Sequence, residues 1–288
     1  MYRTAIAFAA VALVAGCAVI VVPDDGDVRI KSAFSSDAVE GNGQLVSEQR
    51  AVSDDIDDVE ISGPMQVTVR VGERASLRVE GDSNLLPLLR TDATGGALRI
   101  RAEGTLRSAN PLRVTLTTPH LRKLQANGSG KLDVSGLAGD DLALGLNGSR
   151  QTTLAGRVAR FDVRLNGSGG LQAGALASGA TDATVNGSGR LQLGRVQGST
   201  LALNVRGSGG AYASGTVERL RVRINGSGSA DLAELRSRDA DLGTNGSGSI
   251  TAFASDALVA GSNGSGGITV YGNPVRRDIS GKHVTVLQ

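Results

Sequence analysis

Cysteine is nearly absent from this chain. Cys17 is the only one in 288 residues, so no disulfide can form within the molecule. Tryptophan is missing, and only three phenylalanines and two tyrosines follow Cys17, so any core is narrow and aliphatic. The two histidines, His120 and His283, stand far apart, which argues against a His-centred catalytic or metal site. Neither sign of charge predominates: 30 basic against 28 acidic residues give a formal net charge of +2. That balance points neither to nucleic acid nor to a strongly acidic partner. Of six prolines, none lies between Pro119 and Pro274. Strands paired on both sides need every backbone N–H, which proline lacks. No amphipathic helix of useful length is predicted.

What the sequence does contain is a repeat. Asn-Gly-Ser begins at Asn127, Asn147, Asn166, Asn186, Asn225, Asn245 and Asn263, and Arg206-Gly207-Ser208-Gly209 fills the one gap. The steps are 20, 19, 20, 20, 19, 20 and 18 residues. A fixed period near 20 marks a solenoid. Before each Asn, apolar residues alternate with polar ones, as in Leu142, Leu144 and Leu146, or Leu220, Val222 and Ile224; Leu191 and Leu193 alternate after it. Spacing by two is strand periodicity. Each repeat therefore predicts two or three short strands joined by turns, which bury their apolar face by stacking on neighbouring repeats. The fold class expected is all-β: a single-stranded parallel β-helix or solenoid with rungs of about 20 residues, preceded by a strand-rich capping segment. In the shorter repeats the lost residue falls in a turn, because a slip within a strand would turn its apolar set outward.

Two geometries fit the motif itself. In one, alternation runs through it, Gly128 and Gly130 point inward, and Asn127 and Ser129 point outward. In the other the motif is a corner with a left-handed residue, and the Asn side chains stack as an internal amide ladder.

Along the chain, residues 1–17 read as a lipoprotein export signal. Arg3 precedes an apolar run, and Val14-Ala15-Gly16-Cys17 is similar to the bacterial lipobox. That resemblance implies cleavage before Cys17 and its lipidation, which would attach the protein to a membrane. Ala18 after the cysteine leans toward the outer membrane, with periplasmic or surface orientation open. A plain membrane anchor is the rival, since Thr4–Val22 carries no charge over 19 residues. Residues 18–55 are expected to be a flexible tether, 56–120 the capping segment, 121–273 the repeat solenoid and 274–288 a C-terminal cap.

With these parts in view the sequence resembles the bacterial "putative auto-transporter adhesin, head GIN domain" family. The matching stretches are Val59-Glu60-Ile61-Ser62-Gly63-Pro64-Met65-Gln66-Val67-Thr68-Val69, Glu80-Gly81-Asp82-Ser83-Asn84-Leu85-Leu86-Pro87, the Gly-Ser-Gly series, and Val270-Tyr271-Gly272-Asn273-Pro274. The resemblance spans about residues 57–288. It implies a β-solenoid in the cell envelope and supplies no catalytic residues.

The function expected is a non-catalytic binding, adhesion or scaffolding module on a lipid anchor; a polysaccharide-acting β-helix enzyme and a passive spacer are the rivals. Candidate contacts are the Asn and Ser rows: Asn127, Ser129, Asn147, Ser149, Asn166, Ser168, Asn186, Ser188, Asn225, Ser227, Asn245, Ser247, Asn263 and Ser265. Such a polar face suits an envelope glycan or another envelope protein; the bland reading is that these groups satisfy turns and cross-rung hydrogen bonds. Asp140, Asp141, Asp162, Asp182, Asp231, Asp239 and Asp241 are scattered through the repeats without an evident catalytic pair, and no calcium-binding nonapeptide is present. No cofactor or metal is expected. Arg219, Arg221 and Arg223 share one outward face, suited to an anion or simply to solvent.

Overall fold

The computed structural model describes residues 38–288 in full and, before them, only the backbone of Ala18–Val21 and Arg29–Ser32, which pair antiparallel. Cys17 and the rest of the predicted export signal lie outside the described residues. Among the described residues no helix is long and apolar enough to cross a membrane.

From Lys123 onward the chain winds as a parallel β-solenoid, as the period requires. One inward column runs Leu142, Phe161, Thr181, Leu201, Leu220, Ala240 and Leu258, each the register partner of the next. All seven are buried. In the rung that follows Asn166 the buried residues are Gly169, Leu171 and Ala173, with Gly170 covered as well, then Leu176 and Ser178, then Thr181, Ala183 and Val185. The two-residue alternation breaks twice there and again at the Asn-Gly-Ser motif. Each rung is thus three short straight segments joined by three bends. At one bend the Ser178 and Thr181 hydroxyls lie 3.0 Å apart and satisfy each other inside the core. The one-residue deficit of the Arg206 rung falls at a bend: Gln192 pairs with Tyr212, whereas the next pair is Arg195 with Ser214.

The N-terminal end is built out of sequence order. Asp58–Ser62 lies between Ala97–Arg101 and Lys123–Asn127, and Met65–Val71 lies between Arg113–Thr118 and Gly130–Ser135. The outermost rung therefore comes later in the chain than the rung it covers. Antiparallel strands finish this end. Leu89–Thr94 returns on Ala97–Ala102 through Gly95 and Gly96, both at positive φ, and Leu45–Arg50 pairs with Leu77–Asp82. These strands occupy edges that would otherwise be open for pairing.

The stretch expected to be tether up to residue 55 is thus strand at Ala38–Glu40 and Leu45–Arg50. Its side chains are mostly exposed, so no apolar alternation marks it. The Arg50 guanidinium anchors it by donating to the carbonyls of Leu86, at 2.9 Å, and Leu89. At the far end Arg276–Ser280 and Val284–Leu287 lie on Ala257–Gly261 and Ile268–Tyr271 as a last, largely exposed rung.

Candidate binding surface

The repeated motif is a corner that departs from both geometries expected of it. Asn186, Gly187 and Ser188 all face outward or lie at the surface, and only Gly189 is buried. Simple alternation through the motif is therefore wrong for its first glycine, and in the first copy for both, since Gly128 and Gly130 are exposed at φ +106° and +105°. The first glycine has positive φ in every copy, +112° at Gly187, and a Cβ there would sit 2.5 Å from the carbonyl oxygen of Gly167 in the rung below. Three successive outward residues are possible only because this position carries no side chain. An amide ladder does form, but on the outside of the corner. Asn147 Nδ2 donates to Asn127 Oδ1 at 2.7 Å, Asn166 to Asn147 at 2.7 Å, and Asn186 to Asn166 at 2.8 Å. Each interior amide of that run spends one N–H and one acceptor site on the ladder and keeps one of each for solvent or a ligand. Arg206 interrupts the column. Beyond it Asn225 and Asn245 are register partners, and Asn263 approaches Asn245 at 3.5 Å. The Ser129, Ser149, Ser168, Ser188, Ser208, Ser227, Ser247 and Ser265 column runs beside it, with the Ser247 and Ser265 hydroxyls 3.0 Å apart. The predicted Asn and Ser rows are therefore brought together along one edge of the rod.

Arg150 stands where most later corners have their buried glycine. Its side chain is 1% exposed and runs back across Gly130 into the preceding corners. The guanidinium donates to the carbonyls of Gly63 at 2.7 Å, Met65 at 2.8 Å and Lys131 at 3.2 Å. From Ser149 to Ser247 a Ser amide holds the preceding corner's Gly carbonyl, as Ser188 N does Gly167 O, and at the last corner the Gly266 amide does so. Between Ser129 and Gly63 that bond is absent, and Arg150 takes the carbonyl instead. Burial lowers the guanidinium pKa from its ordinary value, and Nε has no partner among the described residues.

Two of the three arginines in the row on the outer face, Arg221 and Arg223, are paired with a carboxylate. Arg219 and Arg221 are register partners of Asp239 and Asp241, and Arg223 grips Asp241 with two contacts of 2.8 and 2.9 Å. The scattered carboxylates do include one register pair, Asp162 with Asp182, which line a shallow depression of about 320 Å³ with Arg160 and Thr200. His120 lies 3.3 Å from Asp140 at an exposed site, far in the fold from His283 on the last rung. Among the described residues no three His, Cys, Asp or Glu side chains are placed to hold a metal ion.

A second surface was not singled out from the sequence. After the Asn corner, Gly170, Arg190, Gly210 and Ser229 form one outward column, and Gln172, Gln192 and Tyr212 form the next. Two depressions of about 220 and 410 Å³ flank Arg190 and share it and Gln192 as lining. Aligning the repeats at the fourth and sixth residues after each Asn reveals these columns; the apolar periodicity does not. The Tyr212 hydroxyl donates to Glu234 at 2.5 Å, and that bond to a carboxylate holds the phenol's pKa above its ordinary value.

The sequence model of the "putative auto-transporter adhesin, head GIN domain" family matches residues 55–212 and 172–274. No curated protein matches the chain. Among solved structures, a "putative lipid binding protein" from Parabacteroides distasonis ATCC 8503 is 21% identical over 87% of this chain and 100% of its own, with a TM-score of 0.66. A "putative adhesin" from Parabacteroides merdae ATCC 43184 is 21% identical over 88% and 100%, with a TM-score of 0.64. Another "putative adhesin" from Parabacteroides distasonis ATCC 8503 is 20% identical over 87% and 99%, with a TM-score of 0.61. At such identities these structures speak for the fold alone. The family match covers most of the chain, and the chain belongs to the "putative auto-transporter adhesin, head GIN domain" family.

Proposed function

We propose that this chain is an exported, adhesion-like binding module of the cell envelope, non-catalytic, lipid-anchored through Cys17 to the outer membrane and directed outward. The observation that carries the reading is the outer corner: rung register fixes two polar columns, Asn and Ser, along one edge of a rigid rod. Preorganised polar groups lose little conformational entropy on meeting a ligand, so a long shallow contact gains affinity by repetition. An envelope glycan or a second envelope protein suits such an edge. The test replaces Asn147, Asn166 and Asn186 together with Ser149, Ser168 and Ser188 by alanine in the full chain. Prepared without the lipid on Cys17, the variant is expected to keep its strand circular dichroism and to lose the binding to isolated envelope material that the equally unlipidated parent shows. Unchanged binding with an intact fold rejects the polar edge as the contact.

The enzyme reading draws on one observation, the register pair Asp162 and Asp182 beside a depression. It predicts that the purified chain shortens a polysaccharide and that Asp162→Asn abolishes this.

A further inference from the structure

The second outward face holds a site that the corner does not explain. Arg190 stands in its column between Gly170, which is buried against the Gln151 side chain, and Gly210, whose missing side chain leaves the larger depression. These glycines are not imposed by the backbone. Neither has positive φ; a Cβ on Gly210 would meet only the Ser229 hydroxyl at 3.5 Å, and one on Gly170 only the movable end of Gln151. They differ in this from Gly187, whose Cβ would strike backbone. The fold therefore tolerates a side chain at 210, and its absence is what opens the surface there; at 170 the Gln151 side chain already covers the glycine.

The groups around the openings are of a consistent kind. Gln172 and Gln192 offer planar amides, each donor and acceptor, and Tyr212 offers one of the three aromatic rings that the solenoid region places outside its core. Glu234 fixes the Tyr212 hydroxyl and so the ring's place. Arg190 has no ion-pair partner among the described residues, unlike Arg221 and Arg223. A guanidinium with free N–H groups matches a carboxylate in two contacts. Beyond Tyr212 the same column continues with Asp231, so the surface changes from basic to acidic within two rungs. A uniformly anionic polymer is disfavoured by that change, whereas an acidic sugar followed by a neutral one fits it.

We propose that the Arg190 groove binds a glycan in which a uronic acid alternates with a neutral sugar. Arg190 takes the carboxylate, the glutamine amides take ring hydroxyls, and Tyr212 packs against the neutral sugar. This deepens the reading of the rod as a binding module but places the contact on the face beside the Asn corner.

The test is calorimetric titration of the full chain with hyaluronate oligosaccharides and with the same oligosaccharides after reduction of their carboxyl groups. Binding to hyaluronate is expected, weaker by about tenfold for the reduced sugar and, equally, for Arg190→Gln, the effect of losing one charge-assisted contact. Gly210→Gln, which fills an opening without touching backbone, is expected to block both sugars at an unchanged melting temperature. Absence of binding by the parent chain, or undiminished binding by Gly210→Gln, overturns the proposal. The alanine variant of the Asn and Ser columns separates the two readings. If it keeps hyaluronate binding, the groove stands by itself. If it loses binding while Arg190→Gln and Gly210→Gln keep it, the groove is rejected and the corner remains.

Discussion

Replacing Arg150 by methionine sets two opposed effects against each other. The substitution removes a buried guanidinium that has no carboxylate partner, which relieves a desolvation penalty of several kcal/mol. It also strips the carbonyls of Gly63 and Met65 of their donors at 2.7 and 2.8 Å, and that of Lys131 of a weaker one at 3.2 Å. A buried carbonyl left unpaired costs about 1–3 kcal/mol, and donors that carry charge lie at the upper end. The Gly63 carbonyl loses most, because no Ser amide substitutes for Arg150 there. Methionine fills a similar volume, so no large cavity offsets the comparison. The sum favours destabilisation of about 2–4 kcal/mol, the scale of three buried carbonyls left without donors once the relieved desolvation offsets part of their cost. For a chain of this size that lowers the melting temperature by roughly 4–16 °C. Arg150→Lys should fall between, since a single ammonium cannot span carbonyls from two corners as a planar fork does. Thermal melting by circular dichroism gives the overall loss, and hydrogen exchange of amides 58–71 shows whether opening starts at the corner that Arg150 clamps. An Arg150→Met protein that melts at or above the parent temperature, with unaltered exchange there, refutes the claim that the guanidinium is a net clamp.

Other substitutions separate positions that look alike in sequence. Gly187→Val puts a branched side chain at φ +112° with its Cβ 2.5 Å from the Gly167 carbonyl, and should cost about 3 kcal/mol or more in chemical denaturation; Gly210→Ala should change stability by less than about 0.5 kcal/mol. Asn166→Ala removes both ladder bonds of one amide, to Asn147 and from Asn186, and should lower stability by about 1 kcal/mol because the ladder is at the surface. Asp82 accepts from Ser108 and from Asn110 at 2.8 Å, which holds its carboxyl below its ordinary pKa. Its contribution is thus complete above the unfolded value of about 3.9 and disappears as pH falls through the lower folded value. Asp82→Asn should accordingly melt below the parent at neutral pH, with the gap closing as pH falls below about 4.

Much of the solenoid was legible because burial acts on every second residue. The columns ending in Leu165, Val185 and Val205 repeat that signal rung after rung, and the turns absorb the irregular steps. The corner was less legible. Asn-Gly-Ser-Gly fits either plain alternation or a left-handed turn, and only the stacking of Gly187 on the Gly167 carbonyl decides between them. Leu45–Arg50 escaped notice because an exposed edge strand held by backbone bonds leaves no apolar pattern. The out-of-order rungs at the N-terminal end leave none either, since Val59 and Leu98 alternate alike wherever their strands are placed. Arg150 was visible as a lone departure from glycine in the repeat, but its acceptors are backbone carbonyls up to 87 residues away, which no side-chain motif announces. The groove was hidden for a related reason: its opening beside Tyr212 comes from Gly210, a glycine that the fold does not need, in a sequence where most corner glycines are needed.

The central claim is that this rod is displayed outward from the envelope as a binding module. Protease shaving of intact cells, read with antibody to the solenoid and with a periplasmic protein as leakage control, tests it directly. The account predicts loss of the solenoid signal while the periplasmic control stays intact. Protection in intact cells, with cleavage only after lysis, would contradict it.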